Sequence, residues 1–144
     1  MFSSNRATRG LYQQLFEQKS ISKIYHAMAS DNTLLSFPII KQSRIERDNT
    51  SFFRSCEVSG QANSETRIDR MNGNGQWALY RLKAVTGKKH QLRLHMASIG
   101  LPIRNDTWYP TLDDEHDNCD RPLQLLAKEI AFADPINARS FCFE

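Results

Sequence analysis

The sequence predicts an α+β domain built on a mainly antiparallel sheet with few helices. Three observations predict it. Strand-like runs recur along most of the chain. Two pairs of these runs are joined by turn sequences, Asn72-Gly73-Asn74-Gly75 and Asp134-Pro135-Ile136-Asn137. Helical periodicity is confined to two short stretches. A length of 144 residues fits one domain around a single core.

The first helix is expected over Ala7 to Phe16. Ala7, Leu11 and Leu15 share a face, with Tyr12 and Phe16 alongside, and Asn5 is a suitable cap. A strand follows in "ISKIYHAMA", with Ile24, His26 and Met28 on one face and Lys23, Tyr25 and Ala27 on the other. Phe37 to Ile40 and "FFRSCEV" read as shorter strands. The clearest hairpin is "SETRIDRMNGNGQWALYRLKAV", where Asn and Gly can take the positive φ of a tight turn. Lys89 to Ile99 reads as the second helix, with Leu92, Met96 and Ile99 as its core stripe. Gly100 is placed to end it and Pro102 prevents its continuation. "PTLDDEHDNCDR" has no useful period and reads as an acidic surface loop. "LQLLAKEIAF" and "RSFCFE" form the second hairpin.

Composition narrows the class. Apolar content of 40% and charged content of 24% are those of an ordinary soluble domain. No apolar run approaches bilayer length, and "MFSSNRATRG" lacks the apolar core of a signal peptide, so no membrane partner is expected. Cys56, Cys119 and Cys142 are scattered and odd in number, which points to reduced thiols and a cytoplasmic location. The net charge of +3 is a weak pointer to a polyanionic partner.

The densest chemistry lies in "TGKKHQLRLHMASIGLPIRNDTWYP", residues 86–110. Gly87, Lys88, Lys89 and His90 stand at the positive end of the second helix, where phosphate is attracted. A Walker loop is excluded, because Leu82 and Lys89 occupy positions that need Gly and Ser or Thr. A metal site is not expected either. His90 and His95 are five positions apart, about 500° around a helix, whereas chelating pairs stand at i, i+4. Adding His116 and Cys119 from the acidic loop does not rescue it. Contact with RNA, through Lys88, Lys89, Arg93, Arg104, Trp108 and Tyr109, competes with a plain solvated helix face, which composition alone favours.

"LYRLKAVTGKKHQLRLHMASIGLPIRNDTWYP" resembles the final signature of the RluA-type pseudouridine synthases: Gly, a basic residue, His-Gln-Leu/Ile-Arg, a helix, then "GxPIxGDxxY". "SKIYHA" resembles the family's basic-x-Tyr-x-Ala strand. "SRIERDNTSFF" and "ANSETRI" resemble its middle strands, and "RPLQLLAKEIAFADP" its C-terminal strand and turn. The resemblance runs in order over nearly the whole chain. One departure is Asn105 where the family has Gly; Asn tolerates positive φ better than most residues. The larger departure is the absence of "HRxDxxTSG", the segment that carries the family's catalytic aspartate.

The resemblance implies the pseudouridine synthase fold, no cofactor or metal, and action on ribosomal or transfer RNA. It implies that residues 1–144 are the C-terminal part of one catalytic domain, N-terminally incomplete, with no separate second domain. It implies Tyr25 as the tyrosine that packs on the target base, and Arg93 as the cation that keeps the catalytic carboxylate ionised. Lys88, Lys89 and Leu94 are the expected substrate-binding residues. Asp69, Asp106, Asp113, Asp114, Asp117 and Asp120 lack the nucleophile's context, and Gln91 and Asp106 are expected to hold the fold. Without the aspartate segment the chain is expected to be inactive alone, and to self-associate or take an upstream polypeptide along its exposed edge. The alternative is a non-catalytic RNA-binding module derived from the family.

Overall fold

The computed structural model describes residues 5–112 and 120–144. The expected acidic loop therefore lies mostly outside the described residues, as do His116, Cys119 and Asp113, Asp114 and Asp117. Helix α1 (Arg9–Glu17) leads into β1 (Ser22–Ser30), β2 (Ile39–Arg47), β3 (Ser55–Val58), β4 (Ser64–Gly73) and β5 (Trp77–Ala84). Helix α2 (Gln91–Ser98), β6 (Leu125–Ala133) and β7 (Ser140–Phe143) complete the order. The strands form one sheet ordered β3-β2-β4-β5-β1-β6-β7, with every pairing antiparallel. This is the expected α+β architecture.

Both hairpins form where the turn residues place them. In the first, Gly75 takes the positive φ (88°). Gly73 is needed for a different reason: a methyl there would collide with the carboxylate of Asp31. That carboxylate is held by Arg70 Nε at 2.8 Å and the Gly75 N–H at 2.9 Å.

Three strand expectations need correction. In β1 the expected two faces are not kept throughout, because Ile24 is buried together with Ala27 and Ala29, while His26 and Met28 are half-buried. The pairing with β6 shifts register between Ile24 and Tyr25, and an irregularity of this kind breaks strict alternation. The strand expected over Phe37 to Ile40 extends instead to Arg47. Phe52 and Phe53 precede β3 rather than belonging to it.

The main core lies between the sheet and α2. Ile68, Tyr80, Leu82, Ala27 and Ala29 of the sheet meet Leu92 and Met96 of the helix, with Ile99 packed at the border. Gly100 (φ 79°) ends α2 as expected. A second cluster on the other side of α2 joins Leu94 to Ile45 and Tyr109. Helix α2 is thus buried on two sides, whereas α1 has no buried residue.

A polar contact also fixes α2 to the sheet. His95 is fully buried. Its Nε2 lies 3.0 Å from Ser43 Oγ and 3.1 Å from Ser64 Oγ, and its Nδ1 lies 2.9 Å from Thr66 Oγ1. These hydroxyls suit a neutral ring. Burial lowers the His95 pKa from 6.5 to about 4, against a smaller opposing pull from Glu57. The folded state therefore binds fewer protons here than the unfolded state. The stabilisation is complete above about pH 6.5 and is lost as pH falls toward 4, with a ceiling of about 3 kcal/mol. Denaturant midpoints measured at pH 7 and 4.5 are expected to drop further in the wild type than in His95→Gln. Equal drops in both proteins would show that another group titrates.

Candidate nucleic-acid interface

A recess of about 410 Å³ opens where the end of β5, the start of α2 and β1 converge. Its apolar floor comes from Ala84, Leu92 and Leu125. Phe16 and Tyr25 add aromatic faces, and Lys23, Lys88 and Arg93 add cations. Tyr25 and Arg93, 68 residues apart in sequence, line the same recess. Lys88 lines it as well, while Lys89 lines a neighbouring recess. Leu94 does not line it. Each helical residue turns about 100°, so Leu94 points away from the side Arg93 faces and packs on Ile45 and Tyr109. The expectation that Leu94 faces the pocket is corrected accordingly.

The β5–α2 connection is held by one side chain. Gln91 is 3% exposed. Its Oε1 accepts from Thr86 Oγ1 at 2.7 Å and from the Lys88 N–H at 3.0 Å. Its Nε2 donates to the Glu65 carbonyl and to Thr66 Oγ1, both at 2.9 Å. His90 caps α2 with φ 56°, a left-handed conformation that few non-Gly residues adopt, though His is among the more tolerant. Its Nδ1 lies 3.0 Å from the Tyr109 hydroxyl, and its ring meets Trp108 edge-on. Burial lowers the His90 pKa, assisted by the Arg93 and Lys89 charges. Tyr109 is itself buried and bonded to both backbone groups of Ser55, so it offers no free stacking face.

Arg93 has a carboxylate partner within the described residues. Its Nε and Nη2 donate to Asp106 at 2.8 and 2.6 Å. Asp106, with its side chain 1% exposed, also accepts the N–H groups of Trp108 and Tyr109 at 2.9 and 3.0 Å. Asn105 takes φ 62° immediately before it, so the turn keeps its positive φ with Asn in place of Gly. The Arg93 guanidinium lies over the Trp108 ring at 4.7 Å. Asp106 thus has the structural role expected for it. Arg104, by contrast, lies over Trp77 and does not line the recess.

Lys23, the basic residue of the basic-x-Tyr-x-Ala strand, was not among the expected site residues. Burial lowers its pKa, and its Nζ donates to the Thr86 carbonyl at 3.3 Å. The available signal was its spacing from Tyr25, since residues two apart on a strand share a face. Among the described residues no three His, Cys, Asp or Glu side chains group as metal ligands, and no helix is long and apolar enough to cross a membrane.

The antiparallel sheet carries an aromatic and cationic recess beside one helix, and direct comparison assigns that arrangement to a family. The family model of RNA pseudouridylate synthases matches residues 1–98, and the chain belongs to that family, in its RluA-type branch. It is 28% identical to the dual-specificity RNA pseudouridine synthase RluA of Vibrio vulnificus, over 94% of this chain and 55% of that protein. It is 31% identical to tRNA pseudouridine synthase C of Salmonella typhi, over 94% of this chain and 58% of that one. The chain thus spans a little over half the length of these relatives. The solved structure of human RNA pseudouridylate synthase domain containing 1 has the same fold, with a TM-score of 0.77 at 22% identity, covering 98% of this chain and 61% of that one.

Removing Asp106 would strand the Arg93 charge in a mostly dry site and free two N–H groups. Removing Arg93 leaves Asp106 with both N–H donors. Asp106→Ala is therefore expected to cost about 3 kcal/mol and Arg93→Ala clearly less, as read by urea denaturation. The reverse order would show that the pair does not organise this turn.

Proposed function

We propose that the recess holds a uridine turned out of its stack in structured RNA, ribosomal or transfer. The chain would then form part of a pseudouridine synthase catalytic domain. The observation that carries the reading is the convergence of Tyr25, Arg93, Lys23 and Lys88 on one apolar-floored recess. A pyrimidine has a face for Tyr25 to stack on, and a phosphate suits the lysines. Extrusion of a base from its stack is how enzymes that modify bases reach their target atom. Tyr25 packs on the base, and Arg93 is placed to support a carboxylate. A cytoplasmic location, expected from the scattered cysteines, belongs to the same reading.

These 144 residues contain no "HRxDxxTSG" segment, and in our reading they do not make pseudouridine by themselves. The second reading, a non-catalytic RNA-binding module, is favoured by one observation: the Arg93 guanidinium already has a bidentate carboxylate partner in Asp106. Both readings require RNA binding. Tyr25→Ala is expected to weaken binding of a short oligouridine about tenfold, and Tyr25→Phe to retain it. Mass spectrometry of unmodified ribosomal and transfer RNA incubated with the chain is expected to show no pseudouridine. Clear product would assign catalysis to another carboxylate of this chain.

The reading extends to a protein partner. Helix α1 exposes Leu11 and Phe16 at 41% and 46%, and the edge strand β7 exposes Phe141 and Phe143. Unpaired edges and apolar patches are surfaces that another chain covers. Light scattering over a concentration series is expected to show an apparent mass that rises with concentration. A constant monomer mass would remove self-association.

A further inference from the structure

A second basic recess adjoins the first, and Lys88 lines both. It encloses about 350 Å³ between Arg47, Arg54, Lys88, Lys89 and Phe52, above buried Ile45. Its acidic neighbours are engaged elsewhere. Glu46 accepts from Arg44 at 2.7 Å. Asp48 accepts from the Thr50 N–H and hydroxyl at 2.8 and 2.6 Å, and feels the Arg54 charge more weakly. Among the described residues, none of the four cations lies within ion-pair distance of a carboxylate. Arg54 donates from Nη2 to the Pro110 carbonyl at 3.1 Å and lies over the Tyr109 ring at 4.9 Å, and among the described residues its buried Nε–H has no acceptor.

Phe52 is 74% exposed. Core packing does not explain a ring so open to water among four positive charges. It meets Phe53 edge-on at 5.4 Å, Phe53 meets Trp108 at 5.2 Å, and Trp108 meets His90 at 5.2 Å. His90 lines the first recess, so a line of aromatic rings joins the two.

We propose that the second recess is a subsite for the nucleotide next to the one in the first recess, with its base on Phe52 and its phosphate among Lys88, Lys89, Arg47 and Arg54. This rests on the RNA-binding reading above and extends it to the flanking sequence. Stacking platforms set in a cationic groove are how proteins hold single-stranded nucleic acid. Lys88, shared by both recesses, is placed for the phosphate between the two nucleotides. An acidic peptide would use the cations and leave Phe52 without a role.

The test uses two uridine pentaribonucleotides, carrying 2-aminopurine on one or the other side of the central uridine, titrated into the 144-residue chain. One label is expected to be quenched on binding. Phe52→Ala is expected to remove the quenching and weaken binding about tenfold, and Phe52→Trp to restore both. The double variant Arg47→Ala, Lys89→Ala is expected to flatten the slope of log affinity against log salt by about 0.7, the share of one phosphate. Equal affinity of wild type and Phe52→Ala, with Tyr25→Ala still weakened, would overturn the subsite and leave the first reading standing. No binding of either oligonucleotide to the wild type would overturn both. Displacement of the oligonucleotide by hexaglutamate at equal concentration would give the recess to an acidic peptide and overturn the subsite.

Discussion

The arrangement around the recess depends on one buried amide. Gln91 can make four hydrogen bonds and makes all four, two through each end of its side chain. A buried amide with an unmet group costs roughly 1–3 kcal/mol for that group, so few other placements of this side chain are tolerable. The four bonds reach Thr86 and Lys88 in the connection and Glu65 and Thr66 in β4. They therefore tie the end of β5, the start of α2 and the neighbouring strand into one rigid corner. Lys88, His90 and Arg93 all project from that corner. The recess is shaped by a side chain whose four hydrogen bonds are all made within the chain.

The same corner tolerates a left-handed His90, a conformation that costs a non-Gly residue roughly 1–2 kcal/mol. The surroundings over-determine it. Its ring is held by the Tyr109 hydroxyl and Trp108, and Tyr109 is anchored to both backbone groups of Ser55. Asp106 completes the chain of constraints by accepting the Trp108 and Tyr109 N–H groups while pairing with Arg93. The segment after α2 is thus clamped both to the helix start and, through Ile103, Arg104 and Tyr109, to the sheet.

Much of this was legible in the sequence because local chemistry dictates it. Gly100 ends a helix with an unmistakable apolar stripe, and the Asn-Gly pairs can form little other than a turn. The positive φ of Asn105 was readable because Asn stands where its family has Gly. The illegible parts are those that neighbours decide. The irregular pairing of β1 is set by its register against β6, and nothing between Ile24 and Tyr25 announces it. Leu94 reads as one more residue beside Arg93, yet α2 is buried on two sides and the second side claims it. Phe52 carries the apolar, aromatic character of a strand residue, and only the folded surface shows it to be exposed. The Arg93–Asp106 pair spans 13 residues and two turns, and no periodicity connects them.

The pair also changes where the positive charge of the first recess resides. Asp106 takes the Nε–H and one Nη2 N–H of Arg93, and the guanidinium lies over the Trp108 ring. The two formal charges cancel at close range, so an approaching anion meets the remaining N–H donors more than a net charge. The net cation of the recess is then supplied by Lys23 and Lys88. Lys23 is the more desolvated of these, which lowers its pKa and makes its charge the costlier one to leave unpaired. An anionic group placed beside Lys23 would relieve that cost and raise its pKa again. The net charge of the lysines and the directed N–H donors of Arg93 are therefore separate features of the same recess, made by different elements of the fold.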